Sequence, residues 1–202
     1  METSTLLAVI TFASVAGFTP GPNNLMLAAS GANFGFRRSL PHIVGIIVGF
    51  ISVFIAAGLG LAKIFEAVPP LYGILKVMSI LFLVYLAWRI GTAGKAESRD
   101  QDKPLSFIQA ALFQIINPKG ISVIVSTLSA YTTDAGSFSS EMGILITVFL
   151  LVSIGATSSW CLFGTAISKI FTTTAKLRAF NITMAGLLIL SLIPVSYTHL
   201  RA

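Results

Sequence analysis

Six runs of predominantly apolar residues, roughly 5–30, 40–62, 69–90, 105–131, 142–168 and 179–195, contain no Asp or Glu between them. A helix needs about 20 such residues to cross the hydrocarbon core of a bilayer. Within hydrocarbon every backbone polar group must find an internal partner, and for runs of this length that means α-helix. The chain is therefore expected to be an all-α membrane protein with six transmembrane helices. Composition excludes the main rival: 10% of residues are charged, against about 25% in soluble domains, and mean hydropathy is +0.90. Lysine enters the runs only as Lys76 and Lys119, and Arg89 closes the third. The first run is read as a retained helix, because only Glu2 is charged ahead of it and it continues through Pro20 and Asn24 without a small-residue cleavage site.

The 13 Lys and Arg against 7 Asp and Glu read as membrane topology, not as a nucleic-acid surface. Arg37 and Arg38 follow the first run, Arg89, Lys95, Arg99 and Lys103 the third, and Lys169, Lys176 and Arg178 the fifth. On the other side lie only Lys63 and Arg201, and the loop 132–141 has no basic residue. The positive-inside rule makes the first set cytoplasmic and both termini non-cytoplasmic. The longest hydrophilic stretch, about 92–104, is too short for a domain. It is expected to be a cytoplasmic linker within a single transmembrane domain, 1–202, joining a repeat at about 1–91 to a second at about 105–195. Three spans is an odd number, so tandem halves must be inverted, as in many transporters.

Two of the six helices, the first and the fourth, should be broken. Phe18-Thr19-Pro20-Gly21-Pro22-Asn23-Asn24 interrupts the first, and Ile116-Asn117-Pro118-Lys119-Gly120 interrupts the fourth at the corresponding place. Proline lacks the backbone donor and clashes with the preceding turn. Asn23 lies about 18 residues into its run and Asn117 about 12, so at about 1.5 Å per residue both breaks fall deep in the bilayer. Each resumes as a new half-helix, with Asn117 before Pro118 in the order expected of a cap followed by the first helical position. Half-helix starts offer free N–H groups and the positive end of a dipole, which together suit an anionic group such as a carboxylate. Lys119 adds a full charge at a cost of about 3 kcal/mol on insertion scales. Water, backbone carbonyls or a substrate anion must compensate it, since no span holds an acid.

These motifs, with Gly35-Phe36-Arg37-Arg38-Ser39 and Gly45 to Gly49-Phe50, resemble the LysE/RhtB family of bacterial amino-acid exporters over nearly the whole chain. Within it the resemblance is closest to the cysteine and O-acetylserine branch. It implies a multi-pass inner-membrane protein that exports small neutral amino acids or derivatives, of cysteine/O-acetylserine or homoserine/threonine type, driven by the proton gradient. The expected substrate site is Pro20, Gly21, Pro22, Asn23, Asn24, Gln114, Asn117, Pro118 and Lys119. The sequence departs from the family after Pro194, where Val195-Ser196-Tyr197-Thr198-His199-Leu200-Arg201-Ala202 resembles a translated sequencing-adaptor remnant. Residues 196–202 are expected to be artefactual, and His199 and Arg201 to carry no function.

Other residues divide between structure and function. Gly45 and Gly49 form a GxxxG suited to close helix packing, whereas Gly31 and Gly35 share the spacing but fall in an expected loop. Arg37 and Arg38 are topology determinants, with gating of the cytoplasmic mouth as the alternative. His42 is expected to be an interfacial polar residue, with a proton relay as the alternative. Gln114 and Asn117 share a face by their i, i+3 spacing. With Gln109 they either line the pathway or hydrogen-bond between helices. Cys161 is alone, no Cys/His cluster suits a metal, and no cofactor is expected. The partners implied are the amino-acid substrate and the lipid bilayer, with a homo-oligomer left open. Two other classes compete with transport. An intramembrane enzyme would need a nucleophile–base pair or metal at depth, and a non-transporting scaffold would not depend on Asn117 or Lys119 beyond folding.

Overall fold

The computed structural model describes residues 1–61, 69–93, 103–132, 138–171 and 173–192. Among these every regular element is helical: α1 (Thr3–Phe18), α2 (Pro22–Ala56, followed by a π turn Ala57–Leu61), α3 (Pro69–Thr92), α4 (Phe107–Ile116), α5 (Pro118–Tyr131), α6 (Phe138–Ile170) and α7 (Thr174–Leu190). Three stretches are long and apolar enough to cross a membrane, Pro22–Gly60, Gly73–Thr92 and Ser139–Ile170. The pair α4–α5, bent by 60°, makes a fourth if taken as one span. The expected tail 196–202, Lys63, and Lys95 and Arg99 of the linker lie outside the described residues.

The first correction concerns α2. A loop was expected between the first two runs, but helix continues on both sides of a single non-helical residue, Gly35, at φ 77° and ψ 166°. The two limbs, 22–34 and 36–56, fold back on one another. Ser30 Oγ lies 2.9 Å from Ser39 Oγ, although nine residues of straight helix would separate them by about 13.5 Å. Leu27 and Ile43, further from the turn, share one buried cluster with Ile46, Ala110 and Cys161. One glycine thus serves as the whole connection, since its backbone conformation is open essentially to glycine alone. Ser39 Oγ donates to Gly35 O at 2.9 Å and ties off the turn.

Small residues set the packing around this hairpin. A Cβ added to Gly31 would stand 2.0 Å from Cys161 O, and one added to Gly164 1.9 Å from Ala28 O. The first limb and α6 therefore touch backbone to backbone, and Gly31 is a packing residue of a helix. Gly45 and Gly49 open a second groove, in which Cβ atoms would lie 2.4 Å from Phe107 O and 2.6 Å from Ala111 O, so α4 nests against the second limb. Without a hydrophobic drive between helices in lipid, such close approach supplies the van der Waals contact that holds them together. Large apolar side chains such as Leu81, Trp88, Leu151 and Ile182 face outward, while Asn24, Asn33, His42, Gln114, Asn117 and Asn181 are buried. Polar groups inside and apolar ones outside is the order a bilayer imposes.

Local sequence fixes the ends. Ser106 and Gln109 form a reciprocal capping box at the start of α4, which makes Gln109 a cap and not a pathway residue. The Thr173 side chain caps α7. The Gly35 turn gives a direct test, because an added Cβ there would meet nothing within 4 Å and any cost is conformational. Gly35→Ala should cost about 1–3 kcal/mol, read as a lowered thermal midpoint in detergent. Gly186→Ala, equally unobstructed but inside α7, should be neutral or stabilising by up to about 1 kcal/mol.

Candidate functional site

The two breaks form by the same steps. In the first, α1 ends at Phe18, Thr19 and Gly21 are extended, and Pro22 takes the first position of α2. Pro20 drives Thr19 out of the helical region. In the second, Asn117, at φ −73° and ψ 106°, closes α4 and opens α5, with Pro118 at the first position. The first helical bonds after each break are Leu25 N–H to Gly21 O and Ile121 N–H to Asn117 O. The N–H groups of Asn23, Asn24, Lys119 and Gly120 precede those bonds and have no acceptor within their helices.

The structure brings the breaks into contact. Lys119 Nζ donates to Thr19 O at 2.6 Å, and the lysine stem runs over Gly21, where a Cβ would lie 2.6 Å from Lys119 Cδ. The lysine of the second break is therefore compensated by a carbonyl that the first break releases. Asn24 Nδ2 binds Gly17 O at 2.7 Å and Thr19 O at 2.9 Å, which occupies more of the freed acceptors. Asn23 and Gln114 exchange amide bonds of 2.9 and 3.1 Å. Asn117 Nδ2 joins them through Gln114 Oε1 at 3.1 Å. The caps differ from expectation in one respect: Asn117 sits at the cap position but its side chain makes no capping bond. Its Oδ1 is buried without a partner.

A cavity of about 80 Å³ lies between the breaks. Gly21, Pro22, Asn23, Asn24, Asn117, Lys119 and Gly120 line it on one side, and Phe149, Ser153 and Thr157 of α6 on another. All four uncommitted N–H groups thus belong to lining residues, two from each half-helix start. Of the other expected residues, Gln114 is buried behind the wall and acts through Asn23 and Asn117. Pro20 is exposed, and neither it nor Pro118 lines the space. Both prolines shape the backbone only. Arg37 and Arg38 are exposed and line neither this cavity nor the one described below. Arg38 packs 5.7 Å from the centre of the Phe34 ring.

His42 is 1% exposed, because the Gly35 turn carries the second limb back along the first. Two features escaped the sequence reading. Ser153 and Thr157, one turn apart on α6, border the site; their i, i+4 spacing in an apolar run was the available signal. Asn33 and Asn181 exchange amide bonds of 2.8 and 2.9 Å across 148 positions of sequence, a pairing with no local signature.

A family model described as LysE type translocator matches residues 14–193. Proteins named cysteine/O-acetylserine efflux protein from Escherichia coli K12, from Escherichia coli O1:K1 and from Shigella sonnei are each 29% identical over 198 residues, covering 96% of this chain and 100% of the relative. No solved structure matches the chain.

The amide cluster makes its own prediction. Gln114→Leu removes both bonds to Asn23 and the acceptor of Asn117, leaving buried amides unpaired. It should destabilise the protein by about 2–3 kcal/mol, measured by thermal unfolding in detergent. Gln109→Leu, which removes only a cap, should cost about 1 kcal/mol.

Proposed function

The chain belongs to the LysE type translocator family, and from that premise we propose that it is a secondary transporter exporting a small neutral amino acid or close derivative across the bacterial inner membrane. The relatives named for cysteine and O-acetylserine efflux, alike from end to end, favour that pair over homoserine or threonine. The observation that carries the reading is the single cavity faced by both half-helix starts and by Lys119. Such a space can accept a zwitterion. Its carboxylate meets the N–H groups of Asn23, Asn24, Lys119 and Gly120 and the positive end of two helix dipoles. Lys119 exchanges Thr19 O for the carboxylate, a stronger acceptor. Asn117 Oδ1, without a partner among the described residues, accepts from the substrate ammonium in this reading.

Six crossings fit the same reading. With the Gly35 turn, α1 and the first limb make one broken span and the second limb another, while α4 and α5 make the broken fourth. Two inverted halves, about 1–91 and 105–195, then rock about the shared cavity, with the proton gradient as the drive. The basic side is cytoplasmic and both termini are outside.

Lys119→Ala and Asn117→Ala should each reduce efflux of O-acetylserine from intact cells roughly tenfold or more, the effect of losing a charge-assisted bond. Efflux unchanged at equal membrane levels would remove this site assignment. For orientation, alkaline phosphatase fused within 132–141 should be active and fused within 92–104 inactive; the reverse pattern would invert the topology.

A further inference from the structure

A second cavity, of about 60 Å³, opens beside the Gly35 turn and is lined by Ser30, Asn33, His42, Arg89 and Lys103 among others. It lies along the same hairpin as the first. On the first limb Asn24 borders the deep cavity and Ser30 this one, about 9 Å further along the helix axis. On the second limb Ile46 borders the deep cavity and His42 this one, a single turn apart. Leu27 and Ile43, at intervening positions of the two limbs, belong to a buried apolar cluster with Ala110 and Cys161, and none of these four lines either space. The two spaces share no lining residue and are separate chambers.

The chemistry of the second chamber is one-sided. Arg89 and Lys103 line it, and among the described residues none that lines it is acidic. Among the described residues the one hydrogen bond of the guanidinium is long, 3.4 Å to Lys103 O, which leaves donors in a fork that matches a carboxylate. Ser30 is bonded to Ser39, and the Asn33 amide is engaged by Asn181 and Ala29 O. These two are wall. His42 is different: it is buried, and among the described residues neither Nδ1 nor Nε2 has a partner. A neutral imidazole always presents one N–H donor, and an unpaired buried donor is costly unless something supplies the acceptor. A cationic fork, an ammonium and an orphaned imidazole around one space have a common complement in a small carboxylate.

We infer that this chamber is an entry site, on the basic face, which takes the carboxylate of the exported amino acid before it passes to the deep cavity. The inference rests on the export reading above, and its test separates the two. Everted membrane vesicles turn the basic face to the medium, so uptake of labelled O-acetylserine reads loading from that side. Arg89→Gln and His42→Gln should each raise KM roughly tenfold while leaving kcat within about twofold, the pattern of lost ground-state binding. Arg89→Lys, which keeps the charge and loses the fork, should recover only part of the wild-type KM. Wild-type KM should rise with ionic strength, and that of Arg89→Gln much less, because screening acts on the charge removed. Lys119→Ala should instead lower kcat. Unchanged KM in Arg89→Gln and His42→Gln, or a fall in kcat alone at equal protein levels, overturns the entry site and leaves the deep site standing. Wild-type vesicles that take up no amino acid overturn both.

Discussion

A helix broken within a bilayer releases carbonyls and N–H groups that water cannot satisfy, and most of this structure follows from how that demand is met. The acceptors released at Thr19 and Gly17 are taken by Asn24 and by Lys119 of the opposite break. Neither break is self-sufficient. The first needs a donor, the second brings a half-buried ammonium that needs an acceptor, and each supplies the other. What is left over is four N–H groups on residues that line a shared space, and one buried amide oxygen. The site is the remainder after two incomplete helices have completed each other as far as their geometry allows.

The hairpin in α2 determines where that remainder sits. Gly35 reverses the chain within one residue, which sets Asn24 and Ile46 on one chamber and Ser30 and His42 on the other. Contact between Gly31 and α6, and between Gly45, Gly49 and α4, brings α6 and α4 near enough for Ser153 and Thr157 to line the deep cavity and for Gln114 to reach the first limb. Wherever one of these glycines carried a side chain, the backbones would separate and the amide bonds lengthen past use.

Local chemistry made the two breaks legible from sequence. Proline lacks the backbone donor and clashes with the preceding turn, and the Asn-Pro and Pro-Asn orders are read within five residues. Composition made the apolar exterior equally plain. The sequence was silent where position depended on a distant turn. His42 stands beside Pro41 near the start of an apolar run, as an interfacial residue would, and only the reversal at Gly35 buries it. Gly31 was misread for the same reason, since a gap between two spans suggests a loop until one glycine proves sufficient. The Asn33–Asn181 pair joins opposite ends of the chain, and nothing near either residue announces the other.

The first limb is held near its two ends by amide pairs, Asn23 with Gln114 and Asn33 with Asn181. Carboxamides carry no net charge: they do not titrate, and a transmembrane voltage does no work on them. Among the described residues that line the deep cavity, Lys119 is the one ion, and an elementary charge crossing the full field is worth about 2.3 kcal/mol per 100 mV. The scaffold of the limb is therefore electrically inert, and at the deep cavity any sensitivity to membrane potential enters through that one ammonium or through the solute it receives.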